Sequence, residues 1–293
     1  MDRRSLLKSL GAVVGTLALP AALRPSPLWA APLEKVKALG VLRVGLYADN
    51  RPWSWDDGGK AAGIDADLAR TLAQGLGVRA DIALFTADEE LSDDLRNVVW
   101  RGGLLGFQAC DVMLHVPFDR QIMAAEDDVA FLAPYYRESF AAACGEAADC
   151  EAMPVRWKGR RIAAELDSIP DFYLLGHAGG ALAKDVVHSS TGYAAVAAVG
   201  RGEADAVVAT SAQIEAAIHD GKDGSIRRRK SFLPAMLSPG WDIGVAVGEN
   251  SRSLGFAIEE QIAAMSADGR LEAIFARHGV EWRPALAVQP STP

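Results

Sequence analysis

The sequence predicts an α/β protein of two lobes, each built on a doubly wound, mostly parallel sheet. Three observations carry this. Apolar runs of strand length alternate with amphipathic helical stretches, the pattern of parallel strands joined by crossover helices. The alternation occurs in two successive series of about one hundred residues each, which suits two lobes of ordinary size. Half of the 293 residues are hydrophobic, enough for two packed cores.

In the first series, "LEKVKALGVLRVGLY" reads as a short helix, a break at Gly40 and a strand from Leu42 to Tyr47. "DADLARTLAQGLG" (65–77) follows an Asp cap with a stripe of Leu68, Leu72 and Leu76, and Gly77 ends it. "ADIALF" (80–85) is a second strand, "SDDLRNVVWRGG" (92–103) a helix and "CDVMLHV" (110–116) a third strand. In the second series, "RRIAAEL" (160–166), "AKDVVHS" (183–189) and "ADAVVAT" (204–210) are strands, with helices at "DFYLLGHAG" and "TGYAAVAAVGRG" between them. The closing segment, 240–280, holds one strand and two helices. Ligands of open α/β sheets sit outside the carboxyl ends of the strands. Facing lobes would therefore bring the end of "CDVMLHVPFDR" opposite Thr210 and Ser211 across a cleft.

Residues 1–31 stand apart. A basic start, an apolar run of about fifteen residues and small residues at Ala30 and Ala31 form an export signal, too short for a membrane span. Arg3-Arg4 with Leu6, Leu7 and Lys8 resembles a twin-arginine signal; an ordinary secretory signal is the alternative. Both take the mature protein out of the cytoplasm. Beyond residue 30 there are 26 basic and 37 acidic residues, a net charge near −11, which disfavours nucleic acid. Cys144 and Cys150 enclose five small or polar residues and either pair in a disulfide or stay free. Cys110, inside an apolar strand, reads as a buried thiol.

The segment 41–78, "VLRVGLYADNRPWSWDDGGKAAGIDADLARTLAQGLGV", resembles the opening of the family 3 periplasmic solute-binding proteins. "GFQACDVML", "APYYRESFAAA", "GRGEADAVVATSAQIE" and "ADGRLEAIFARHG" follow in that family's order, so the resemblance spans roughly residues 34–280. It implies the two-lobed type II periplasmic-binding-protein fold, with hinge strands near Tyr135–Ala143 and Trp241–Val247, closing over a ligand by hinge motion. The expected division is lobe 1 at 32–137 plus 240–284, lobe 2 at 138–239 and a tail at 285–293. The order "CDV", "VP", Asp, "PYYR" resembles the J-type branch associated with quinoprotein dehydrogenases, although His115 stands where that branch tends to have Gly.

The family's amino-acid receptors hold a carboxylate with Arg about a dozen residues after the strand's Asp, and an ammonium with Asp at the end of the second-lobe strand. Those positions fall near Met123 and at Thr210, so both anchors are missing. A zwitterion desolvated without partners loses several kcal/mol, so common α-amino acids are not the expected ligands.

The candidate cleft residues each carry two readings. Trp53 stacks on a ligand or packs the lobe; Asn50 faces the ligand or shapes a turn. His115 hydrogen-bonds a ligand or is satisfied in the cleft wall. Phe118, Asp119 and Arg120 present an aromatic ring and opposite charges to the cleft, or diverge. Asp167 and Ser168 offer an anion site at a helix start, or simply cap it. Thr210 and Ser211 stand with them on the second lobe, facing His115 to Arg120. No HExxH, paired CxxC, G-x-S-x-G or phosphate loop is present, and the five histidines show no metal spacing. The expectation is a monomeric, non-catalytic binding protein without cofactor, accessory to a periplasmic alcohol dehydrogenase that uses pyrroloquinoline quinone. The alternatives are the substrate-binding component of an ABC permease for a small polar solute, and a dehydratase or lyase using Asp119 or Glu165.

Overall fold

A computed structural model describes residues 32–288 except 222, 223 and 239. The export segment and residues 289–293 of the tail lie outside the described residues. Helix α1 (Leu33–Leu39) ends at Gly40, whose φ of 68° is the left-handed cap that a Cβ would strain. Strand β1 (Val41–Tyr47) follows, then a three-stranded ribbon of β2 (Asp49–Asn50), β3 (Ser54–Asp56) and β4 (Ala61–Ala62). Two-residue strands carry too little pattern to be read from sequence. Helix α2 (Ile64–Gly75) buries Leu68 and Leu72, as the periodicity requires.

Strand β5 (Arg79–Phe85) pairs with β1 in parallel from Val41–Arg79 to Tyr47–Phe85. The helix expected over 92–103 is shorter: α3 (Leu91–Leu95) widens into a π turn over Arg96–Trp100, which places Val98 and Val99 in the core. Strand β6 (Val112–Pro117) joins β1 in parallel, and a further short helix, α4 (Arg120–Ala125), leads to β7 (Val129–Glu138).

The second sheet begins with β8 (Phe140–Cys144), followed by β9 (Ile162–Glu165), α5 (Ile169–Gly180), β10 (Val186–Ser189) and α6 (Gly192–Gly200). The last turn of α5 is irregular, with Ala178 and Gly179 at φ 50° and 67°. Strand β11 (Ala206–Thr210), helix α7 (Ser211–Gly221) and the two-residue β12 (Arg227–Arg228) complete it. The chain returns along β13 (Trp241–Gly248) and closes with α8 (Arg252–Ala267) and α9 (Arg270–Arg277).

The strand orders are β5-β1-β6-β13-β7 and β10-β9-β11-β8-β12. Both sheets are mixed. β13 runs antiparallel to β6 and β7, and β8 antiparallel to β11, because these are the strands that carry the chain out of one sheet and back. The crossing from β7 to β8 takes one residue, Ser139, which keeps the two sheets in close succession.

One core lies between sheet 1 and α2, α8 and α9, around Leu42, Val44, Leu72, Ile258 and Phe275. The second sheet has a cluster around Trp157 and Ile162 and another around Val196 and Val207. Helix α7 serves both lobes: Ala212 and Ala216 join the first core, while Ile214 and Ala217 join a core of the second. Among the described residues, no helix is long and apolar enough to cross a membrane.

Candidate functional site

The crossing strands meet at a point that turns out to be the floor of a cleft. Glu138 is the last residue of β7, Phe140 the first of β8 and Trp241 the first of β13, in register with Glu138. Above this floor lies a cavity of about 270 Å³. Asn50, Trp53 and His115 line it from the first sheet's side. Glu165, Ser168, Thr210 and Gln213 line it from the second, with Val208 and Ala209 between them.

Glu138 dominates the electrostatics. It is 1 % exposed, and burial pushes its carboxyl up to about 7. The Ser139 N–H, the Thr210 hydroxyl and the Ala212 N–H, with the nearby charge of Arg283, oppose that rise without cancelling it, and of these the Ser139 N–H has hydrogen-bond geometry. The Ser139 N–H donates to Oε1 at 2.8 Å. Oε2 is buried and has no hydrogen-bond partner among the described residues. A buried, unpaired carboxylate oxygen costs free energy and marks a place where a donor is wanted.

Glu165 sits at the carboxyl end of β9, where its Oε2 accepts from the Gly192 N–H at 2.8 Å. Burial raises its pKa, the Gly192 N–H lowers it and the charge of Asp49 raises it again. Gln213 Oε1 accepts from the Thr210 N–H at 3.2 Å, which ties the end of β11 to the first turn of α7. Phe140 and Trp241 form an aromatic corner, with centroids 4.9 Å apart.

His115 has φ 64°, an uncommon conformation for a residue with a Cβ. Its N–H donates to Tyr135 Oη at 3.2 Å, and that hydroxyl donates to the buried Asp65 Oδ1 at 2.7 Å. His115 Nδ1 stands 3.3 Å from Asp65 Oδ2, although neither atom is aligned for a hydrogen bond. The ring lies 4.7 Å from that of Trp53, which is itself packed on Tyr136 and Phe275. His115 and Trp53 are thus a packed wall that presents one edge to the cavity.

Of the residues singled out from sequence, Asn50, Trp53, His115, Ser168 and Thr210 line the cavity; five others do not. Asp119 caps α4, accepting from the Gln121 and Ile122 N–H groups at 2.8 and 3.3 Å, and Arg120 begins that helix, exposed. Phe118 packs in an apolar cluster with Val116 and Phe131. The chain turns into α4 directly after the strand and carries all three away. Asp167 is exposed at φ 57°, and its N–H donates to Asp171 at 3.1 Å. Ser211 is buried in the hinge, its hydroxyl 3.0 Å from Ser139 Oγ. Ser168 spends its own hydroxyl as the cap of α5, accepting from the Asp171 N–H and donating to the Glu165 carbonyl.

Sequence reasoning missed Glu138, Phe140, Gln213 and Trp241, and weighed Glu165 only as an acid. The available signal was Glu138 itself, a carboxylate that with Arg137 ends the apolar and aromatic run "VAFLAPYY". Cys144 and Cys150 are buried free thiols near enough to influence each other's ionisation, and the Cys150 thiol donates to the Arg227 carbonyl at 3.4 Å. Burial pushes the Cys110 thiol up to about 12, which makes it inert. Among the described residues, no three His, Cys, Asp or Glu side chains stand together as a metal site.

No protein-family model matches the sequence, and no curated protein matches it. Solved structures do match in shape. An ancestral cationic amino acid solute binding protein is 20 % identical at a TM-score of 0.65, covering 84 % of this chain and 99 % of its own. A mutant of ArgBP from T. maritima is 24 % identical at 0.57, covering 84 % and 97 %. The solute receptor for L-cysteine of Neisseria gonorrhoeae is 20 % identical at 0.57, covering 85 % and 93 %. The two five-stranded mixed sheets, the single-residue crossing and this likeness together give the chain the two-lobed type II periplasmic-binding-protein fold.

Proposed function

We propose that the protein binds a small polar solute reversibly in the cleft between its lobes, in the periplasm and without chemical turnover. The observation that carries this reading is Glu138, a buried carboxylate with an unpartnered oxygen on the floor of a cavity between two sheets. A cavity of about 270 Å³ lies just below the usual range for drug-sized ligands, which favours a small solute. The similar structures include proteins named for binding cationic amino acids and L-cysteine, which supports a solute of that size and polarity.

Delivery of the solute to an ABC permease fits a cleft with selective chemistry. The role beside a pyrroloquinoline quinone dehydrogenase had an anchor-poor cleft as its premise, and Glu138 weakens that premise; it rests on the sequence resemblance alone. The test is a thermal-shift screen of amines, amino acids, organic acids and alcohols, followed by small-angle scattering with any hit. A concentration-dependent rise in melting temperature with a smaller radius of gyration is expected. Turnover of a hit, or silence across the panel, overturns the reading.

A further inference from the structure

Resting on that solute-binding reading, we propose that the cleft is built for a small organic cation, an amine without a carboxylate. Its nitrogen would lie against Glu138 and its hydrocarbon body against Trp241, Phe140 and Trp53.

The charge on the wall comes first. The ionisable acids lining the cavity are Glu138 and Glu165, and no Lys or Arg lines it among the described residues. An anionic group entering this space would meet two acids, with His115 beside Asp65 as the one basic side chain on the wall among the described residues. An ammonium would meet attraction from both acids.

Three arginines of the surrounding elements have partners of their own. Arg228 and Arg283 both pair with Glu215, and Arg283 also donates to Tyr136 Oη at 2.8 Å. Arg51 pairs with Asp220 at 3.3 Å and lies over the rings of Trp55 and Tyr193 at 4.4 and 4.7 Å.

Two of the backbone donors that would suit an anion are taken by the protein's own acids. At the start of α5, the Asp167 N–H donates to Asp171 and the Asp171 N–H to Ser168. At the start of α6, the Gly192 N–H donates to Glu165. An incoming carboxylate would have to displace a side chain that already carries the same charge.

On the cavity floor the unsatisfied atom among the described residues is an acceptor, Glu138 Oε2, and an acceptor calls for a donor. An ammonium group supplies donors and the opposite charge together. The aromatic corner of Phe140 and Trp241 beside Glu138, with Trp53 also lining the cavity, supplies apolar surface and aromatic rings suited to a cation. A bare metal ion is the poorer fit, since no three-ligand group stands in the described residues.

The experiment is calorimetric titration at pH 8 with matched pairs that differ only by a carboxylate: cadaverine against L-lysine and agmatine against L-arginine. Choline and succinate serve as the quaternary cation and the anion. At least one cation should bind, and an amine should bind ten times or more tightly than its amino-acid counterpart. Glu138→Gln should weaken cation binding at least tenfold, with folding confirmed by circular dichroism. Glu165→Gln provides a second variant, also expected to weaken it. Tighter binding of an amino acid or succinate, or an amine affinity unchanged in Glu138→Gln, overturns the cation assignment while leaving the solute-binding reading intact. If none of these probes binds and the wider thermal-shift panel is also silent, both fall.

Discussion

Glu138→Gln should stabilise the unliganded protein, and by an amount that grows with pH. The carboxyl is 1 % exposed, and burial raises it from an ordinary 4.5 to about 7. Between those two values the folded state holds a proton that the unfolded state has lost. Stability therefore falls as pH rises through this window, because its slope follows the protons bound by the unfolded chain minus those bound by the folded one. Above about pH 7 the loss is complete and, at 1.36 kcal/mol per pKa unit, amounts to about 3 kcal/mol. Glutamine keeps an oxygen for the Ser139 N–H and never ionises. Urea unfolding at pH 4.5, 6 and 8 should show the variant near wild type at pH 4.5 and more stable by about 3 kcal/mol at pH 8. Equal stability at pH 8, or a gain that does not change with pH, would refute the reasoning. A protein that retains such a residue gives up stability for a function, and saturating cation should narrow the gap by favouring the ionised wild-type carboxyl.

Other outcomes follow from single contacts. Tyr135→Phe removes the donor to the buried Asp65 Oδ1 and should cost about 1–3 kcal/mol in urea unfolding at neutral pH. Gly45→Ala would drive a Cβ into Val98 Cγ1 between β1 and the turn after α3, and should lower stability by about 1–3 kcal/mol. Arg51→Ala removes an interlobe pair with half-exposed Asp220 and two ring contacts. It should cost about 1 kcal/mol of stability, with a larger radius of gyration in liganded samples by small-angle scattering. Oxidation should join Cys144 to Cys150, leaving Cys110 as the one thiol that titrates after denaturation; three titratable thiols would refute the pairing.

Residue order made the lobes legible. Leu68 and Leu72 recur at the period of a helix against a sheet, and "VLRVGLY" and "ADAVVAT" have the length and bulk of buried strands. These are local properties, written within a dozen residues, and they survive into the fold because burial rewards them directly. Positions at element ends fared unevenly for the same reason. Thr210 and Ser168 end up on the cleft because they terminate β11 and start α5, whose directions the periodicity already implies. Asp119 and Arg120 do not, because one more short helix begins there and turns the chain aside.

The chemistry of the cleft was decided by tertiary structure. Glu138, Phe140 and Trp241 lie on three strands, and only the crossing of β7 into β8 and the return of β13 bring them to one floor. Glu138 reads as an ordinary hinge carboxylate until packing by both lobes removes its water and leaves Oε2 unpartnered. Counting from family positions registers the missing arginine, but not that Asp171 and Glu165 already occupy two of the backbone donors an anion would use. Desolvation and hydrogen-bond saturation depend on every atom around a group. Periodicity reaches only as far as the element that carries it, so the lobes could be read along the chain, whereas the charge preference of the cleft required the lobes to be placed face to face.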